Sequence, residues 1–113
     1  MNRDRLYLAY ISECIDRIES YIVEGQDAFL SSTLIQDAVT RNLQTLCEST
    51  QRLSSALKKA HPEMDWEGMA FVRNAVTHDY PGLDLEAVWT IVTEDLPKIK
   101  APVARMLNEV ESS

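Results

Sequence analysis

The sequence predicts an all-α chain, an up-and-down bundle of four main helices with a short C-terminal helical extension. Three observations carry this. Apolar residues recur at steps of three and four along most of the chain, the spacing that gathers them on one face of a helix. The alternating β-branched runs of a half-buried sheet are missing. Capping side chains, glycines and prolines divide the periodic stretches from one another.

The first helix runs from Arg3 to Val23, with Tyr7, Ile11, Cys14, Ile15, Ile18, Tyr21 and Ile22 on its apolar face and Asp16, Arg17, Glu19 and Ser20 on the wet side. Gly25 ends it, and Gln26 to Leu30 reads as a connector whose Phe29 and Leu30 tuck under the bundle. A second, longest helix is expected from Ser32 to Ala60, starting at a Ser-Ser-Thr capping cluster and stopping before Pro62. Asp65 then caps a third helix from Trp66 to Thr77, and Tyr80-Pro81-Gly82 makes a stop and a turn. Asp84 caps the last helix, which points Leu85, Val88, Trp89, Val92 and Leu96 inward. Pro97 and Pro102 are expected to kink or restart it, leaving the tail as a separate turn or two.

Composition narrows the class. The 113 residues hold 18 acidic and 11 basic side chains, a net charge of -7, with 45% hydrophobic and 26% charged residues. That is enough for one small core, a single domain over residues 1–113, with apolar surface left for a partner chain to cover. Three Gly and four Pro exclude a collagen-like chain, and the apolar content argues against disorder. No apolar run approaches the ~20 residues that span a bilayer, and Met1 to Arg5 is not followed by a secretion-type apolar segment, so a cytoplasmic protein is expected. Cys14 and Cys47 fall on apolar faces and read as buried hydrophobes, not as a disulfide or a metal site. No cofactor is implied.

Functional side chains concentrate in one place, Arg73-Asn74-Ala75-Val76-Thr77-His78-Asp79-Tyr80-Pro81. On a continuous helix Asn74 and His78 lie one turn apart on the same face, so the amide is placed to orient the imidazole. Arg73 and His78 stand about 140° apart around the axis. Bringing them to one atom requires the helix to unwind near His78 or a second chain to add its own copy. An Arg with a His suits phosphoryl chemistry: the guanidinium holds a phosphate through paired hydrogen bonds, and the imidazole moves the proton of an attacking hydroxyl. With RNA that hydroxyl is the neighbouring 2′-OH, and no metal is needed. The plainer alternative is a surface ion pair between Arg73 and Asp79, with His78 on the helix dipole and Tyr80 as an interface aromatic.

Arg73, four residues, His78, one residue, Tyr80 matches the R-x4-H-x-Y motif of HEPN-domain proteins, and the surrounding string resembles the HepT branch. Further strings extend the resemblance over most of the chain: Gln36 to Leu43, His61-Pro62-Glu63, Asp84-Leu85, Val88-Trp89 and Glu94-Asp95-Leu96-Pro97. The resemblance implies an all-helical homodimer that acts as the RNA-cleaving toxin of an MntA/HepT-type toxin–antitoxin pair, whose partner is a minimal nucleotidyltransferase. By position it makes Arg73 and His78 the catalytic pair, Asn74 and Asp79 their supports, and Tyr80 the residue that receives AMP from the antitoxin. Higher hetero-oligomers with that antitoxin are consistent with it. The competing class is a noncatalytic helical partner or substrate-binding subunit of a nucleotidyltransferase.

Arg41 and Asn42 are further candidates for RNA contact, although Asn42 and Glu48 have a structural alternative in satisfying backbone or pairing with Arg73. Lys58, Lys59 and His61 form a small basic cluster expected of a solvated helix end. Trp66 and Trp89 sit on apolar stripes and read as core or interface anchors. A charge of -7 makes a poor general RNA binder, so any RNA site must be a local basic cleft in an acidic exterior.

Overall fold

The computed structural model describes residues 2–78 and 84–112. The expected turn at Tyr80-Pro81-Gly82, with Asp79, lies outside the described residues.

Helix α1 (Arg3–Tyr21) begins where the Asn2 side chain accepts the Arg5 amide, and it buries Leu8, Ile11, Cys14, Ile15 and Ile18. Each fully buried Leu or Ile of this stripe contributes about 1.5–3 kcal/mol relative to exposure. Gly25, at φ +96°, turns the chain through a conformation that a side chain would resist. Beyond it stands a helix rather than the expected connector: α2 (Gln26–Ser31) is short but places Phe29 wholly inside. Its last carbonyls are satisfied from outside, because the Gln36 amide donates to Phe29 O at 3.0 Å and Leu30 O at 3.1 Å.

Ser32 caps α3 (Thr33–Gln51) by accepting the Ile35 amide. The apolar spacing predicts one helix as far as Ala60, but the helix breaks at Arg52 and a separate α4 (Ser55–Ala60) starts from the Ser54 cap. The cause is a contact fifty residues away in sequence: the Asp4 carboxylate accepts both the Ser54 amide, at 2.8 Å, and its hydroxyl, at 2.6 Å. An amide held by Asp4 does not serve a continuing helix, and the buried Leu53 anchors the break to the core.

Asp65 caps α5 (Trp66–His78), accepting the Gly68 amide at 2.9 Å. Asp84 caps α6 (Leu85–Thr90), which runs through a π-helical turn, Ile91–Asp95, directly into α7 (Leu96–Ser112). Pro97 accounts for the wide turn: it has no N–H to donate, and its ring would strike the carbonyl four residues back in an ordinary helix. Pro102 does not end α7, and the tail is seventeen residues of helix that add Val103 and Met106 to the core.

Among the described residues there is no strand. Helices α1 and α3 form the most extensive pair; α5 packs on α3, α7 lies along α1, and α2 rests on α6 through the Phe29 and Trp89 rings, 5.5 Å apart. Cys14 and Cys47 are free and buried, and burial foremost pushes the Cys47 thiol up to about 12, so it remains a protonated hydrophobe at neutral pH. Trp66 donates its indole N–H to the His61 carbonyl at 3.0 Å, an anchoring role at the head of α5.

Candidate active site

Helix α5 carries the motif, and its two faces do different things. Val76 is buried against α3 and Arg73 is half-buried beside it, while Glu67, Phe71, Asn74 and His78 form an exposed stripe on the other side. Phe71 is 76% exposed, an unusual place for a large ring flanked by Asn74 and His78 on one helix face. The helix stays regular through His78, so it does not unwind there to bring His78 round toward Arg73. Within one chain the two side chains leave the helix about 140° apart.

Arg73 is aimed by α3. Its Nε donates to Glu48 Oε2 at 2.9 Å and its Nη1 donates to Asn74 Oδ1 at 3.3 Å. The other Glu48 oxygen faces Arg52 Nε at 3.5 Å, so one carboxylate holds two guanidinium groups. All three side chains are more than a third exposed, so the pairings add little stability; they fix geometry. With Nε on Glu48 and Nη1 on Asn74, the Arg73 guanidinium has its Nη2 group outside both pairings. Gln44 pins the end of the same helix, donating to the Val76 carbonyl at 2.8 Å, one of the last-turn acceptors that α5 cannot satisfy internally.

Beside this network a cleft of about 420 Å³ opens between α1 and α3, lined by Tyr7, Tyr10, Arg41, Gln44, Glu48, Arg52 and Thr77 among others. Its lining carries two guanidinium groups, Arg41 and Arg52, and one carboxylate, Glu48, which Arg52 and the neighbouring Arg73 both engage, in a chain whose net charge is -7.

The sequence-derived candidates divide clearly. Arg41 lines the cleft. Asn42 donates to the Ala38 carbonyl of its own helix at 2.9 Å, which fits the structural alternative. Asn74 serves Arg73 rather than His78. Asp79 and Tyr80 lie outside the described residues. Of the small basic cluster, His61 is occupied by Glu63 at 3.0 Å and Glu109 at 3.3 Å, tying the α4–α5 loop to α7. A hydrogen bond from its own backbone foremost, then the one to His61, holds the Glu63 carboxyl below its usual range. Apolar spacing places Tyr7 on the inner stripe of α1, and it does not single out Tyr10, Gln44, Arg52 or Thr77; the legible signal is the polar run Arg41, Gln44, Thr45, Glu48, Ser49, Arg52 at helical spacing on α3.

The chain matches the Ribonuclease HepT-like family over residues 11–106. It is 34% identical over 101 residues to a probable ribonuclease HepT of Thermococcus cleftensis, covering 88% of this chain and 92% of that protein. It is 30% identical over 115 residues to a Methanocaldococcus jannaschii protein named "Gamma-glutamylcyclotransferase and putative RNase", covering all of this chain and 52% of that one. The chain thus spans about half the length of this second relative. No solved structure matches at a significant level. A match that takes in α3, α5 and the motif that α5 carries leaves no ambiguity of kinship: the chain belongs to the HepT-like ribonuclease family.

Proposed function

We propose that this chain is a single-domain toxin that cuts RNA without a metal, in a groove shared by two copies of itself, with Arg73 and His78 as the reacting pair. The observation that carries the reading is the split of α5. Arg73 is oriented by Glu48 on one side of the helix, and His78 stands with Phe71 and Asn74 on an exposed face of the other. A second copy seated on that face covers the Phe71 ring and lets the His78 of one chain meet the Arg73 of the other. Helix α5 of each copy then contributes to both sites.

In this reaction the 2′-oxygen of the substrate attacks the adjacent phosphorus and the bond from phosphorus to the 5′-oxygen breaks. The imidazole takes the 2′-proton, water protonates the leaving 5′-oxygen and the imidazolium returns its proton to the hydroxide so formed, and a 2′,3′-cyclic phosphate remains. Arg73 neutralises the charge that builds on the non-bridging oxygens. The purified protein is expected to cleave labelled RNA in EDTA and to leave cyclic phosphate ends. Intact RNA under those conditions refutes the proposal and favours the noncatalytic partner of a nucleotidyltransferase.

Tyr80, two residues beyond His78, is the proposed acceptor of AMP from a minimal nucleotidyltransferase antitoxin. In the transfer the phenol oxygen attacks the α-phosphorus of ATP, pyrophosphate leaves and the phenol proton is lost, so the chain gains a bulky anion two residues beyond His78 that opposes RNA by volume and by charge. Tyr80→Phe protein is expected to keep cleaving RNA and to take no AMP label from that enzyme. Label retained on the variant moves the acceptor elsewhere.

A further inference from the structure

We propose that the cleft between α1 and α3 is a nucleotide subsite for single-stranded RNA, in which a base stacks on Tyr10 while Arg41 and Arg52 hold the adjoining phosphates. The inference rests on the RNA-cleaving reading and extends it to the path of the strand.

Tyr10 is 42% exposed, and the Tyr7 ring meets it edge-on at 6.0 Å with 74° between the planes. Tyr7 is in turn covered by the Arg3 guanidinium, 5.9 Å from its centroid. The phenol of Tyr10 is therefore steadied from one side and open on another. Facing it across the cleft, α3 presents Arg41, Gln44, Thr45, Glu48, Ser49 and Arg52 along one face. Aromatic rings interleaved with guanidinium groups and hydrogen-bonding side chains are what single-stranded RNA sites are made of, because every base has a stackable face and every step carries a phosphate. The cleft volume, about 420 Å³, falls in the range of sites that take small organic ligands.

Its position gives the cleft a role. Glu48 lines it and grips Arg73 at 2.9 Å, and Thr77, the residue before His78, lines it as well. A nucleotide lodged against Tyr10 thus lies next to the guanidinium that meets the scissile phosphate, and the cleft fixes which phosphate in a strand is presented. The acidic exterior, meanwhile, discourages binding elsewhere on the surface.

The test uses the full chain and a short fluorescein-labelled 2′-O-methyl oligonucleotide, which lacks the attacking hydroxyl and so reports binding without cleavage. Tyr10→Leu is expected to weaken binding by about 5- to 150-fold, with Tyr10→Phe restoring it. Arg41→Gln, which leaves the Glu48 network intact, is expected to reduce the slope of log affinity against log salt by about 0.7. Should Tyr10→Leu fail to fold, the Arg41→Gln slope carries the test. Equal affinity in folded Tyr10→Leu, or an unchanged slope in Arg41→Gln, overturns the subsite. A wild-type chain that cleaves RNA while Tyr10→Leu binds normally sinks the subsite alone, whereas one that neither binds nor cleaves sinks both readings.

Discussion

His78→Ala protein is expected to lose RNA cleavage by about 10²–10⁴-fold, the usual share of a positioned proton carrier. Arg73→Ala is expected to lose a comparable amount, because a single phosphate contact stabilises charge only where it develops. The two together should cost little more than either alone, since a proton relay without its charge clamp has nothing left to assist. None of this should unfold the chain. His78 is exposed at the end of α5, and Arg73 is held by an ion pair more than a third exposed, of the sort that contributes at most about 1 kcal/mol. Initial rates on labelled RNA, with circular dichroism and sedimentation to check fold and assembly, decide the matter. Undiminished cleavage by either single variant removes that residue from the mechanism.

The largest expected loss of stability lies far from the chemistry. Phe29→Ala should destabilise the fold by about 3–5 kcal/mol, a large part of the 5–15 kcal/mol that holds a domain of this size. Phe29 is fully buried, its ring rests on Trp89, and its carbonyl takes a hydrogen bond from Gln36. A short helix has too few residues to hold itself together, so α2 depends on that one ring for its place against α3 and α6. Chemical denaturation at fixed protein concentration measures the effect. A loss below about 1 kcal/mol would mean that the α2–α6 seam collapses over the missing ring.

Phe29 also marks where the sequence stops being legible. Its burial can be read from its type, but a six-residue helix opened by a positive-φ glycine lacks the repeated apolar steps by which longer helices declare themselves. The break at Ser54 is hidden for another reason: the group that enforces it, Asp4, is distant in sequence, and nothing local to Arg52 or Leu53 announces it. Long stripes such as Ile11, Ile15 and Ile18 are plain, as are the Asp65 and Asp84 caps, because helix spacing and capping are local chemistry. In the candidate site the motif and Arg41 are visible, and pairing of Arg73 with Glu48 is one of the options that spacing leaves open. Tyr10 and Arg52 are not, since a cleft is made by two helices meeting and its lining is known only once their packing is.

The π turn at Ile91–Asp95 is equally silent in the pattern, because Val88, Val92, Leu96, Ile99 and Val103 keep an unbroken helical rhythm across it. Fitting one more residue into that turn swings everything downstream by about 100°. The same rod can then address α2 with its first part and α1 with its second. Shortening Ile91–Asp95 by a single residue would swivel Val103 and Met106 out of the core, whereas exchanging the exposed Glu94 for another polar side chain would leave the swing untouched. That stretch is therefore constrained in its length far more than in its spelling, the reverse of what holds for a surface loop.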